Sequence, residues 1–361
     1  MKFVTITFLV ILVALCAVLY FLPGYINAPH ARPVITETID AGRDVAATTY
    51  PIWVLTREVA NGTGLNVTLL TPADAGCPHD YALTTNDLLK IGKKPLLLFA
   101  NGAGLDDHIC KAAMTANKGI LVVDTSAGLE IVGDDDDHDH HEHADGGDDD
   151  HDEHAEHHHD DGDDDEHDEH EAEEHHHEAE GHHHHHHHGG ENGHFFASPN
   201  EARKIVAAIA DALANNDLVH ADAFHANAEK LDHELETLAG EFKTQLEPFA
   251  SKHVAAQHNI FDYLLSDCGF ELPIPIYAEP ETPPSPAEIT KLAKEFKEHD
   301  VKVIFTEPQY PDELAALLAK ETGSKAVKLD PVASGPLDPP AGYYVETMKR
   351  NLEIMKKALA E

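Results

Sequence analysis

Three histidines stand where a metal ion could be gripped: His79 in GCPHDYALTTNDL, His194 in GHFFASPNEA and His258 in AAQHNIFDYL. Neutral imidazole is a common ligand of divalent transition metals, and three of them meeting at one point would leave a fourth position for an oxygen donor. A carboxylate or a water could fill that position. Glu307 in TEPQY is placed to accept an N–H from a ligand imidazole and so fix its tautomer. Asp80 invites the same role, whereas Asp87 reads as part of a solvated helix face. Residues so far apart in sequence converge only if the fold brings them together. His220, His225 and His233 recur at intervals of five and eight on or beside a long helical stretch, which does not stack them on one compact face, and they read as surface residues.

A second store of imidazole lies between the first two of these histidines. Residues 134–191 hold 27 of the chain's 66 carboxylates, 21 of its 31 histidines and no Lys or Arg. Almost nothing there can bury apolar surface, so the segment is expected to be disordered. Its carboxylates should concentrate divalent cations and its neutral imidazoles bind them, which suggests a weak multi-metal reservoir beside the site. A solvating linker is the plainer alternative. The formal net charge of −41 excludes a nucleic-acid partner, and most of that charge resides in this one insert.

The elements that must position the histidines follow a regular rhythm. DVAAT, PIWVLTREVA, LNVTLLTP, TTNDLLKIG, PLLLFAN, LDDHICKAAM and GILVVDT read as strand and helix in alternation. The strands are unbroken apolar runs, as in a parallel sheet covered on both faces. After the insert, Ser198-Pro199 is a cap and first-turn pair for a helix, and a second helix is predicted over residues 221–247. The alternation then restarts and runs to the end through KHVAAQ, ELPIPIYA, SPAEITKLAKEFKEH, VKVIFT, PDELAALLAKETG, KAVKLD and GYYVETMKRNLEIMKKALA. The fold class is therefore α/β, with two mostly parallel-sheet lobes joined by one long helix and a cleft between them. The divisions are residues 1–30 as signal peptide or anchor, 31–220 as the first lobe with its insert, 221–249 as the linking helix and 250–361 as the second lobe.

Four ordered motifs, PHDYALTTNDL, HFFASP, QHNIFDYL, and IFTEPQY followed by KLDP, resemble those of the zinc and manganese solute receptors of ABC transporters. The resemblance runs from about Asp44 to the carboxyl terminus, interrupted only by the insert, and zinc-type members carry a histidine-rich loop at that place. It implies that His79, His194 and His258 are lobe-bridging ligands and that Asp330 sits where a carboxylate often completes the set. Zinc-type members resemble this chain in having histidine at the third position, where manganese-type members place a carboxylate. Three imidazoles with one oxygen suit tetrahedral Zn²⁺ as the transported ligand. One departure is Pro78, at a position where some zinc members carry an acidic residue. The implied partners are divalent metal ions and a membrane permease driven by an ATPase, with the receptor itself a monomer.

The ends and the cysteines bear on compartment. Residues 3–22 form an uncharged apolar run behind Lys2, which suits an export signal or a retained anchor and places the bulk of the chain outside the cytoplasm. Cys16 invites lipidation, but Leu15 before it is bulky for that processing. Of Cys77, Cys110 and Cys268, at most one pair can bridge in an oxidising compartment, and Cys77 with Cys110 is the expected pair. Two other readings remain open. One is a metal-buffering or adhesion protein without a transport partner. The other is a zinc hydrolase, for which HExxH is missing and only Glu307 offers a base.

Overall fold

The computed structural model describes residues 44–77, 81–91, 97–130, 192–277 and 283–360. The first lobe is a four-stranded parallel sheet of β1 (Asp44–Ala47), β2 (Asn66–Leu69), β3 (Leu97–Ala100) and β4 (Leu121–Asp124), in the order β2-β1-β3-β4. Its crossovers carry α1 (Tyr50–Val59), α2 (Thr85–Ile91) and α3 (Asp107–Ala116). Side chains alternate across the sheet. Val45, Ala47, Leu97 and Phe99 join one apolar cluster, while Ala46, Leu98 and Ala100 join another with Ile109, Cys110 and Ala113 of α3. Both faces are thus apolar and covered, as the unbroken hydrophobic runs require.

Two antiparallel helices follow. In α4 (Pro199–Asn216) the Ser198 hydroxyl accepts from the backbone N–H groups of Asn200 and Glu201, with Pro199 at the first helical position. The long α5 (Ala221–Leu246) ends one residue before the sequence-based boundary and continues into a 3-10 turn, Glu247–Phe249. It buries Phe224, Ala228, Leu231, Leu235, Leu238, Phe242 and Leu246, an apolar stripe at steps of three and four. Its 26 residues span about 39 Å at about 1.5 Å per residue.

The second lobe repeats the first. Strands β5 (Val254–Ala256), β6 (Ile274–Pro275), β7 (Val303–Thr306) and β8 (Lys325–Lys328) pair in parallel in the order β6-β5-β7-β8. They are connected through α6 (Asp262–Asp267), α7 (Pro286–Glu298) and α8 (Glu313–Thr322), and α7 opens with a reciprocal Ser285–Glu288 capping box. The last helix, α9 (Tyr343–Ala360), does not stay with its own lobe. Tyr344 donates to the Phe196 carbonyl at 2.7 Å, and in the preceding loop the Gly342 N–H reaches Glu58 of α1 at 2.7 Å. One apolar cluster runs from Val45 through α4 and α5 to Leu359, so the lobes share a continuous core.

Two expectations are corrected. Cys77, Cys110 and Cys268 are all free thiols. Cys77 packs in the cluster shared by the lobes and Cys110 in the cluster on the opposite face of the first sheet, so the sheet itself separates the expected pair. Asp87 is not on a solvated face but 4% exposed. Burial raises its pKa, yet bonds from Thr84, Tyr81 and Lys90 outweigh that and hold the carboxyl well below its usual range. It receives the Tyr81 hydroxyl at 2.6 Å and the Thr84 N–H at 2.9 Å, and so ties the segment that follows His79 to the start of α2. The apolar run at residues 3–22, Cys16, His79, Asp80 and the insert at 134–191 lie outside the described residues. Among the described residues no helix is long and apolar enough to cross a membrane.

Candidate metal centre

In both sheets the strand order reverses at the first strand, between β1 and β3 and between β5 and β7. Crevices at such switch points, beyond the carboxyl ends of the strands, are where open α/β sheets place ligands. His258 stands just past β5 and Glu307 just past β7, so adjacent parallel strands deliver them side by side. His258 Nδ1 lies 2.7 Å from Glu307 Oε1, with the two side chains 3% and 0% exposed. With the carboxylate at ion-pair distance beside Nδ1, Nε2 is the nitrogen left for a ligand. The Glu307 backbone N–H is held in turn by Gln257 Oε1 at 2.7 Å, and Gln257 Nε2 donates to the Pro311 carbonyl.

His194 arrives differently, on a 3-10 turn, His194–Ala197, that leads from the insert into α4. The neighbouring Asn192 orients it. Asn192 Nδ2 donates to the Asn259 carbonyl and to Asp262 Oδ2, both at 3.0 Å, which identifies Oδ1 as the acceptor end of the amide. That Oδ1 receives the His194 backbone N–H at 3.0 Å and Nδ1–H at 2.8 Å, leaving Nε2 as the lone-pair nitrogen. The Asn192 carbonyl accepts from Tyr263 at 2.6 Å. Thus a first-lobe histidine is aimed by a residue clamped to second-lobe positions 259, 262 and 263. Gly193 is needed for packing, since a Cβ there would stand 2.6 Å from Leu105 Cβ. Its carbonyl is held at 2.9 Å by Asn101, which follows β3.

The two imidazoles meet edge to face with ring centroids 4.9 Å apart. The third member of the group is Cys77, whose Sγ lies 3.0 Å from His194 Nε2. Donor atoms of Cys77, His194 and His258 all fall within 4.8 Å of one another, and all three residues are buried. Sequence reasoning assigned Cys77 to a disulfide with Cys110; the available signal was its place two residues before His79 in GCPHDY. Asp330 is not brought into this group. Its Oδ1 accepts the Val332 N–H at 2.9 Å, and its charge is felt by the hydroxyls of Tyr50 and Tyr343. Burial raises its pKa and that of Asp262, the latter to about 7. Of the helix histidines, His225 and His233 are exposed and His220 bonds Asp217 at 2.7 Å.

Sequence and structure comparisons give the chain's family and fold. The family described as zinc-uptake complex component A, periplasmic (ZnuA), matches residues 45–358. The high-affinity zinc uptake system protein ZnuA of Bacillus subtilis is 27% identical over 320 residues, covering 87% of this chain and 87% of that protein. The zinc-binding protein AdcA of Streptococcus pyogenes is 28% identical over 320 residues; the match takes in 86% of this chain but only 55% of that longer protein. The solved structure of the solute-binding protein FpvC from Pseudomonas aeruginosa in complex with Mn²⁺ shares the fold, with a TM-score of 0.67 at 24% identity over 88% of this chain and 98% of that one. Two repeated parallel-sheet lobes, a shared helical spine and a buried histidine pair between strand ends therefore have a common origin: the chain belongs to the zinc-uptake component A family of metal-binding solute receptors.

Proposed function

We propose that this chain is an extracytoplasmic receptor that captures Zn²⁺ between its lobes and delivers it, as a monomer, to an ABC permease. The observation that carries the reading is the pair of buried imidazoles, His194 and His258. Nδ1 lies 2.8 Å from Asn192 Oδ1 in one ring and 2.7 Å from Glu307 Oε1 in the other, so Nε2 of each is the nitrogen that would meet the ion, and the donor atoms of the two rings fall within 4.8 Å of each other. A ring held this way need not reorganise when the ion arrives, which favours affinity. His79 completes the imidazole set. Family membership and the zinc-uptake names of the relatives support zinc as the cargo. Three nitrogen ligands also fit its preference better than that of oxygen-seeking Mn²⁺. The insert at residues 134–191, which rejoins the chain immediately before Asn192, serves as a weaker reservoir feeding the cleft.

Calorimetric titration of the full chain with Zn²⁺ and with Mn²⁺ tests this. One tight zinc event followed by a weaker multi-site phase is expected. The tight event disappears on replacing His79, His194 and His258 together by alanine, and the weak phase disappears on deleting residues 134–191. A tight event that survives the triple replacement overturns the assignment of the site.

A further inference from the structure

Three thiols are present among the described residues, and their surroundings differ. Cys110 and Cys268 sit in apolar packing, where burial pushes both thiols well above their usual range. Cys77, buried in the cluster shared by the lobes, is the one of the three that meets the histidine pair, with Sγ 3.0 Å from His194 Nε2. The direction of that contact can be read from the network. Asn192 Oδ1 receives the proton on His194 Nδ1, so in the neutral ring Nε2 carries the lone pair and accepts from the Cys77 S–H. In the metal-free protein a proton therefore bridges the sulfur and the nitrogen, two atoms that would both face an ion. In a tetrahedral zinc site, sulfur and nitrogen ligands stand about 3.6 Å apart, given Zn–S of about 2.3 Å and Zn–N of about 2.0–2.1 Å. Opening the observed 3.0 Å contact by roughly half an ångström would admit the cation, within the spacing that already includes His258.

The chain around Cys77 is built to hold it there. Gly76 adopts φ +76°, a left-handed turn, and a Cβ at that position would meet Gln309 Cγ at 3.3 Å. Gln309 follows Glu307 on the second-lobe loop, so the Cys77 segment packs against the loop that orients His258.

We propose that Cys77 is a thiolate ligand of the captured ion, joining His194 and His258 and adding to the imidazole set a sulfur that favours thiophilic cations such as Zn²⁺ over Mn²⁺. The inference rests on the receptor reading above and supplies the fourth ligand that the sequence leaves to Asp330 or a water. As the ion enters, the thiol proton leaves to solvent and the sulfur lone pair forms the new bond. Thiolate is a soft donor that oxygen-preferring manganese gains little from.

Cobalt(II) reports the ligand type directly. Reduced full-length protein titrated with Co²⁺ should develop the visible bands of tetrahedral cobalt and an intense near-ultraviolet thiolate-to-cobalt charge-transfer band. The imidazoles and carboxylates of residues 134–191 cannot produce the latter. Cys77→Ser, a near-isosteric change, should keep the visible bands and lose the charge-transfer band. It should also weaken zinc by at least about tenfold while leaving manganese nearly unchanged. Visible bands without charge transfer in the native chain, or a charge-transfer band that persists in Cys77→Ser, would overturn the sulfur assignment while leaving the receptor standing. No tetrahedral cobalt at all in the native chain would defeat both.

Discussion

The two lobes have the same strand order and the same parallel pairing, yet they present their chemistry in opposite ways. The second lobe places His258 and Glu307 directly on the ends of adjacent strands, where backbone pairing sets their separation. The first lobe spends its equivalent strand ends on structure. Thr48 after β1 donates to Asp106 at 2.5 Å, and the Asn101 N–H after β3 donates to the same carboxylate at 2.7 Å. That buried carboxylate, its pKa raised by desolvation, organises the loop instead of facing the cleft. First-lobe donors come from connections, Cys77 after β2 and His194 after the insert, and depend on partners across the lobe boundary to be aimed. A repeated topology therefore guarantees two crevices but not two equal halves of a site. One half is rigid by strand geometry, the other by contacts that exist only when the lobes are together.

This contrast can be broken at its strongest point by removing a ligand from each side. His194→Ala with His258→Ala should cost about 4 kcal/mol or more of zinc binding, on the order of a thousandfold in Kd, as measured by chelator competition. If the rigid half depends on the strand-end carboxylate, Glu307→Gln should weaken zinc by about 10- to 100-fold with an unchanged fold by circular dichroism. Asn192→Ala should have a similar or somewhat smaller effect on affinity, about tenfold, and should in addition lower thermal stability, because it removes the clamp between the lobes. An affinity loss without a stability loss would show that His194 is aimed from within its own lobe.

Finer tests address the clamp itself. Asp262, which accepts the Asn192 amide, has a folded pKa pushed up from 3.8 to about 7 by burial. A carboxyl that binds its proton more tightly when folded costs stability once the unfolded chain ionises. The cost grows as pH rises from about 4 and levels off above about 7. Asp262→Asn should therefore raise the melting temperature of the metal-free protein relative to native at about pH 8, with the two curves converging near about pH 4. The smallest effect is expected for Tyr344→Phe, which leaves the Phe196 carbonyl without the 2.7 Å bond from α9. A loss of about 1 to 2 kcal/mol in denaturant unfolding is expected.

Much of this architecture was legible in the order of the residues. Unbroken apolar strands, the Ser198-Pro199 helix start and the stripe along α5 all arise from local periodicity, which burial at fixed intervals imposes on any chain of this class. His194, His258 and Glu307 could be picked out as well, because each stands at a junction where a strand or helix begins or ends. The partners that give these residues their roles could not. The Asn192 amide is oriented by Asn259 and Asp262, some seventy positions away. Asp87 looked solvated until Tyr81 and Thr84 were seen folded over it. Cys77 looked structural because a single thiol carries no spacing pattern of its own. Its chemistry depends on which nitrogen of a distant histidine faces it, and that was decided by long-range hydrogen bonds formed only when both lobes close on one core. Periodicity is a property of neighbours along the chain, whereas ligand geometry belongs to neighbours in space.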